Sequence, residues 1–391
     1  MDTSVDVQGQ DTTPQLTDLR RENQRLNREE FARREPRLAS RPVTLFVELT
    51  QNCNLKCPMC RSGEKYRPEY NLSIDRYHQL AEELFPYANV VDLRGWGEST
   101  MLPYFSELVD VAVSYRPQLR LVTNGQVNRI PTWEKLMRAH ATISLSCDAA
   151  DSDLFRLLRG GGRVQKLLQT AATLVEMREA YGAPERNLEF ITIVSRDNLH
   201  DLPAIVSMAA GVGVRHVTFF PLQAPADDPG HLRHDLEATK NAYLAATARA
   251  RDEGVVLRLG AAPDSNLAIP GMVKTHPCMH PWSYAYVDYA GRVGFCDHLI
   301  GNQKYTLGSL QEQSFEEIWN GDEWVRLRNE HAAAEISDRF SPCRWCFKNR
   351  YVDFEDRLHP DYVSRVVSSE LDGDLVVERQ GDLLPLQQFC F

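Results

Sequence analysis

Three cysteines, Cys53, Cys57 and Cys60, fall within eight residues of one another in the stretch Thr50-Gln-Asn-Cys-Asn-Leu-Lys-Cys-Pro-Met-Cys-Arg61. Thiolates are soft donors suited to iron–sulfur clusters and zinc, and three on one short loop can converge on a single small object. The number is informative. A cubane cluster held by three thiolates keeps one iron open for a further ligand. Structural zinc wants a fourth nearby Cys or His, and none follows before His78.

A second set lies far downstream. Cys278 and Cys296 are separated by 17 residues, and after 46 more come Cys343 and Cys346 in a Cys-x2-Cys pair. Four thiolates saturate either an iron–sulfur cluster or a zinc ion, and this pair fits both. A saturated cluster has no iron left for substrate, which suits it to passing electrons or shaping a pocket. Two cysteines remain. Cys147 lies in a strand-like run and reads as a small buried hydrophobe, while Cys390 is the penultimate residue of a polar tail.

The elements that must position these groups follow from hydrophobic periodicity. Strands are predicted at Thr44–Thr50, Val90–Arg94, Leu119–Thr123, Thr142–Asp148, Leu188–Val194 and Arg215–Phe220, with a shorter one at Val255–Leu259. Helical patterns separate them, among them 74–84 with Ser73 as N-cap, 104–115, 163–181, 199–210 and 237–253. An earlier helix from Leu16 to about Arg34, stopped by Pro36, is expected to pack on the outside. Repeated strand–helix units predict a parallel α/β sheet, either doubly wound or a partial (β/α)6 TIM-type barrel. In both, the site lies at the C-terminal strand ends. The first cysteine loop sits there, as do Gly95–Glu98, Thr123–Gly125 and Asp148.

After about residue 262 the pattern becomes irregular and rich in Pro, aromatics and Cys, with a hairpin expected around Ala290-Gly291. The chain thus divides into a polar N-terminal segment (1–41), a barrel (42–262), a small cysteine-ligated unit (263–355) and an acidic tail (356–391). The 391 residues carry a net charge of -10, and from Asp353 onward nine acidic and three basic residues contribute -6 of it. That balance argues against a nucleic-acid partner. No long apolar run suggests a membrane span, and nine cysteines without a secretory signal suggest cytoplasmic metal ligation.

Over residues 42–225 the chain resembles the radical S-adenosylmethionine (SAM) superfamily. Cys53, Cys57 and Cys60 match its cluster loop, with Met59 at the usually bulky position near adenine. Gly95-Trp-Gly-Glu98 resembles the family's Gly-Gly-Glu motif, Trp96 replacing a glycine, with Gly97 permitting close backbone approach and Glu98 ordering the SAM amino group. Thr123 and Asn124 stand at the next strand end. Ser146 and Asp148 resemble the Ser-x-Asp near the SAM ribose, and Arg159 an arginine that pairs with the SAM carboxylate. Taken singly these are ordinary turns and helix caps. Their succession at consecutive strand ends carries the resemblance.

Gly291, five residues before Cys296, and the four later cysteines resemble the shortened, "twitch" form of the auxiliary-cluster domain called SPASM. The resemblance implies two [4Fe–4S] clusters, SAM, and a reducing partner such as flavodoxin or ferredoxin. The architecture is most similar to dehydrogenases of aminocyclitol and aminosugar alcohols in antibiotic biosynthesis, with a small-molecule substrate and the auxiliary cluster as electron acceptor. Asp297 and His298 are expected to border the substrate, His298 as proton acceptor. Arg94, with Glu48, Asp92 and Glu189, lines either a polar pocket or a set of core ion pairs. Alternatives are an epimerase, a peptide maturase, or a zinc or electron-transfer module. A maturase is expected to carry a leader-recognition domain of about eighty residues, against roughly forty here.

Overall fold

The computed structural model describes residues 13–60, 65–222, 228–230, 232–259, 278–296 and 299–345. Asp297, His298, Cys346, Cys390 and the acidic tail lie outside the described residues.

Seven strands follow one another in chain order: β1 (Thr44–Val47), β2 (Val90–Asp92), β3 (Gln118–Thr123), β4 (Thr142–Ser146), β5 (Leu188–Val194), β6 (His216–Pro221) and β7 (Val256–Leu259). Each is parallel to the next. The helices that precede and join them are α1 (Thr13–Arg33), α2 (Ile74–Leu84), α3 (Phe105–Tyr115) and α4 (Ile130–Arg138). Next come α5 (Ser152–Leu158), α6 (Val164–Ala180), α7 (Leu202–Val212) and α8 (Leu236–Glu253). Local chemistry sets their ends. Ser73 caps α2 through the Arg76 N–H, Asp151 caps α5 through the N–H groups of Asp153 and Leu154, and left-handed Gly213 and Gly254 end α7 and α8.

The later segment does not stand apart from the barrel. After the short helix α9 (His280–Ser283), strand β8 (Tyr284–Val287) pairs in parallel with β1. Strands β9 (Arg292–Gly294) and β10 (Thr306–Ser309) continue antiparallel beyond it. Among the described residues this makes one ten-stranded sheet, β10-β9-β8-β1-β2-β3-β4-β5-β6-β7. The expected hairpin is present, and its partner is the barrel itself. An open barrel leaves β1 with a row of unmatched backbone donors and acceptors, and β8 satisfies them. Helices α10 (Phe315–Trp319), α11 (Asp322–Ala333) and α12 (Pro342–Trp345) follow.

Strand alternation separates two environments. Leu45, Val47, Val91, Leu121, Leu145, Cys147, Phe190 and Val217 belong to the main core, so Cys147 is indeed a buried core residue. The opposite face lines the lumen. On its β1–β8 side Phe46, Tyr284, Tyr286 and Ile300 cluster with Trp96. On the other side Glu189 accepts from Ser144 (2.7 Å) and Thr218 (3.1 Å), with Arg258 at 3.6 Å. Asp92 and Arg94 pair at 3.1 Å, with the guanidinium 5.2 Å from the Phe46 ring centre.

Helix α1 packs as expected, and more specifically than an amphipathic stripe requires: it ties together the entry ends of four strands. Arg20 donates to the carbonyls of Phe85, Tyr115 and Arg116, ahead of β2 and β3. Asn23 donates to Arg41 and Tyr87, and Asn27 to the Trp282 carbonyl at 2.7 Å, ahead of β1 and β8. On the far side Arg328 donates to the Pro281, Pro36 and Trp319 carbonyls and stacks on Trp319.

His216 lies within 3.4 Å of Arg258 in the lumen. Burial first, then the Arg258 charge, pushes its pKa down to about 3. The unfolded chain therefore takes up this proton first, near pH ~6.5. Stability should fall as pH drops below about 6.5 toward 3. His216→Asn is expected to flatten that acid limb, measured as the urea midpoint at neutral and mildly acidic pH. An unaltered pH dependence would contradict it.

Candidate functional site

The first cysteine loop has little secondary structure of its own, so its shape depends on neighbours. Its root is tied to the segment before α2. Thr50 donates to Asn71 at 2.6 Å, and Asn52 exchanges two hydrogen bonds with the Arg67 backbone at 2.7 and 2.8 Å. Within the loop, Leu55 N–H points at Cys53 Sγ (3.4 Å) and Cys60 N–H closes a turn on the Cys57 carbonyl.

Two glycines let other backbones press directly against this loop. A Cβ on Gly97 would lie 2.4 Å from the Asn52 carbonyl oxygen, and Gly97 and Glu98 N–H groups donate to Thr50 and Asn52. A Cβ on Gly160 would lie 2.1 Å from the Lys56 carbonyl carbon, and Gly160 also holds a left-handed φ of 52°. Sequence reasoning found Gly97. Gly160 opens a Gly-Gly-Gly run, and nothing in such a run says which backbone it meets.

The predicted strand-end residues gather around this loop. Glu98 is buried, one carboxylate oxygen accepting from Thr123 (2.7 Å) and Thr100 (2.6 Å), the other from the Asn124 N–H (2.7 Å). Asn124 in turn donates to Asn54 at 2.7 Å and lies 3.8 Å from Cys53 Sγ. Asp148 accepts from the Ile193 N–H (2.8 Å) and from Arg159 (3.0 Å). Burial opposes the Arg159 charge, but Asp148 and the Cys57 and Cys60 thiols hold its pKa above the usual value. Ser146 is buried near the top of β4 and Met59 is half-buried. Arg94 is drawn instead into its pair with Asp92, inside the lumen.

Glu48 joins this assembly to the later segment. Its carboxyl accepts from the Trp96 N–H (2.9 Å), and a side chain on Gly95 would collide with it. Burial first, and then Asp288 on the hairpin, pushes its pKa up to about 8. Trp96 extends the junction, its indole N–H reaching the Ile300 carbonyl at 3.4 Å and its own carbonyl lying 3.8 Å from Cys60 Sγ. The substitution of Trp for Gly was visible in the sequence; its contact with residues 300–301 was not.

The donor chemistry fits a metal cluster. Cys53, Cys57 and Cys60 are half-buried free thiols. Burial first, then Glu98, raises Cys53 to about 12, and the other two thiols add to this. Burial likewise raises Cys57, against the pull of Arg159. Thiols whose surroundings disfavour the thiolate are held in that form by a bound cation. In the later segment Cys278 precedes α9, Cys296 follows β9 and buried Cys343 lies in α12. An edge-to-face contact of Phe295 with Phe340, 5.7 Å between centres, brings the last two stretches together.

Comparison with known proteins accords with this geometry. Residues 47–209 match the radical SAM superfamily, and residues 278–347 match SPASM, an iron–sulfur cluster-binding domain. The chain is 25% identical to the mycofactocin maturase MftC of Mycolicibacterium smegmatis, over 78% of this chain and 77% of that protein. It is 24% identical to the AdoMet-dependent heme synthase of Methanosarcina barkeri, over 83% and 96%. The crystal structure of Streptococcus suis SuiB bound to the precursor peptide SuiA has the same fold, with a TM-score of 0.61 at 15% identity over 90% of this chain and 79% of that one. The cofactors are S-adenosyl-L-methionine and two [4Fe–4S] clusters.

Gly160→Ala should separate the glycine's role from the cysteines' own. The added methyl meets Lys56 backbone rather than a flexible side chain. The variant is expected to fold with unchanged far-UV circular dichroism yet to lose about four irons per chain, one cluster's worth. Full iron content would show that the contact does not shape the loop.

Proposed function

We propose that this radical SAM enzyme, with its SPASM domain, oxidises a residue of a peptide substrate. The supporting likeness is to the PqqA peptide cyclase of Gluconobacter oxydans, 27% identical over 72% of this chain and 78% of that protein, which favours peptide modification over the aminocyclitol oxidation suggested by cysteine count and architecture. Those features fix the cofactors and leave the pocket unspecified. The observation that carries oxidation is the union of β8 with β1, reinforced by the Glu48 and Trp96 contacts. It joins the segment bearing the later cysteines to the first cysteine loop, which suits a reaction whose surplus electron must leave.

In this reading Cys53, Cys57 and Cys60 hold the first cluster, and loading draws the three thiols together. No group of three metal-binding side chains is already gathered among the described residues. Cys278, Cys296, Cys343 and Cys346 hold the second cluster. SAM bound at the first cluster supplies, on one-electron reduction, a carbon-centred radical that takes a hydrogen atom from the substrate. Glu98, braced by Thr123, Thr100 and Asn124, keeps a fixed negative charge for the SAM amino group. Arg159, set by Asp148, keeps a positive charge near Cys57 for the SAM carboxylate. Met59 and Ser146 complete the nucleoside side. The substrate would lose one hydrogen atom and one proton, and the second cluster, held by the four later cysteines, would supply the acceptor for the electron left behind. Asp297 or His298 takes the proton.

The test is anaerobic incubation of the holoenzyme with SAM, dithionite and a library of linear peptides, reading 5′-deoxyadenosine and product mass together. Each turnover should yield one 5′-deoxyadenosine and a peptide about two mass units lighter. Cys53→Ala should reduce SAM cleavage to background. Persistent cleavage in that variant would overturn the radical assignment. An unchanged peptide mass with solvent deuterium incorporated would replace oxidation by epimerisation.

A further inference from the structure

The chain turns sharply after β2, with a glycine on each side of one large residue. A Cβ on Gly95 would lie 2.2 Å from Glu48 Cγ, and one on Gly97 would lie 2.4 Å from the Asn52 carbonyl oxygen. Neither position admits a substituent. Trp96 between them projects a side chain, and where the radical SAM motif has a glycine that side chain is an indole.

The residue is held at both ends. Its N–H donates to Glu48 (2.9 Å), its carbonyl lies 3.8 Å from Cys60 Sγ, and its indole N–H reaches the Ile300 carbonyl (3.4 Å). Gly301 meets the same edge of the ring, since a Cβ there would lie 3.6 Å from the indole nitrogen. Phe46, Tyr284, Tyr286 and Ile300 pack against the indole and are each no more than 5% exposed, whereas Trp96 is half-buried. The indole is therefore the open face of this aromatic cluster. It closes the β1–β8 side of the lumen between Cys60 and the segment that follows Cys296.

A substrate oxidised as proposed above lies in that interval, giving a hydrogen atom beside the first cysteine loop and an electron toward the later cysteines. An indole in place of a hydrogen atom removes from the interval the room of a whole aromatic side chain. Packed side chains yield little, and this ring is pinned at both ends, so a bulky reacting residue meets a wall. We propose that Trp96 is a specificity-determining residue, and that it limits the reacting residue of the peptide to a compact side chain such as that of alanine, serine, threonine or valine. The proposal rests on the reading of this enzyme as a peptide oxidase.

The test uses the holoenzyme with SAM, dithionite and two pools of linear peptides, matched except at one central position. That position is alanine, serine, threonine or valine in one pool and phenylalanine, tyrosine or tryptophan in the other. The quantity read is the ratio of kcat/KM for the two pools, from product mass and 5′-deoxyadenosine together. The wild type is expected to favour the compact pool about tenfold or more. Trp96→Gly, which opens the wall, should lower that ratio about tenfold or more, chiefly by admitting the aromatic pool. Trp96→Phe, which keeps a ring on the cluster and reaches less far, should move the ratio the same way by a smaller factor. It decides the question alone if the glycine variant fails to fold or to hold its iron. Ile130→Ser, at an exposed position on the first turn of α4, is the control and should leave the ratio as in the wild type.

A wild type that prefers the aromatic pool, a ratio unchanged in both Trp96 variants, or an equal shift in Ile130→Ser would overturn the proposal alone. Modification of neither pool by any form of the enzyme, with SAM still cleaved, would overturn the peptide reading and the proposal with it.

Discussion

The site depends on a steric constraint: backbone must approach the first cysteine loop more closely than any side chain allows. Gly97 and Gly160 meet it from two sides, one from the end of β2 and one from the turn after α5. Their contacts fix a loop that has no regular hydrogen bonding, and so fix the directions from which Cys53, Cys57 and Cys60 can reach a common cluster. Glu98 and Arg159 are one residue from these glycines on each side. The same contacts therefore deliver one negative and one positive charge to the space beside the thiols, as a zwitterionic ligand requires.

A second constraint comes from the barrel's being open. Strand β1 carries the cysteine loop and is also the edge that β8 completes. Any movement of the hairpin is thus felt at Glu48, whose carboxyl is shared between the Trp96 backbone and the surroundings of Asp288. Burial raises the pKa of that carboxyl to about 8, which favours its protonated form beside Asp288, whose own pKa burial also raises. The lumen divides accordingly. Aromatic rings fill the side toward β8, with the Asp92–Arg94 pair against Phe46, and the Glu189–Arg258 pair fills the side toward β7.

Much of this was legible in the sequence. Strand positions, the parallel sheet, the inward direction of Ser146 and Asp148 and the outward direction of Cys147 follow from a period of two and from strand–helix spacing. The cysteine spacing singled out the loop proposed to hold the first cluster, because three thiolates in eight residues have few other uses. Contacts distant in sequence were not legible. That Gly160 abuts Lys56, that β8 joins β1, and that Asn27 reaches Trp282 across 255 positions are tertiary facts without a local signal. Arg94 shows the limit of pattern reasoning: alternation placed it in the lumen, but only the neighbouring Asp92 decides that it forms an ion pair there.

The central claim is that one continuous sheet presents two cluster sites, of which only the first binds SAM. Electron paramagnetic resonance of the reduced holoenzyme, with and without SAM, tests it most directly when wild type is compared with Cys53→Ala and Cys296→Ala. The account predicts that SAM shifts the spectrum in wild type and in Cys296→Ala, and leaves that of Cys53→Ala untouched. A SAM-induced shift that survives in Cys53→Ala, or vanishes in Cys296→Ala, would contradict it.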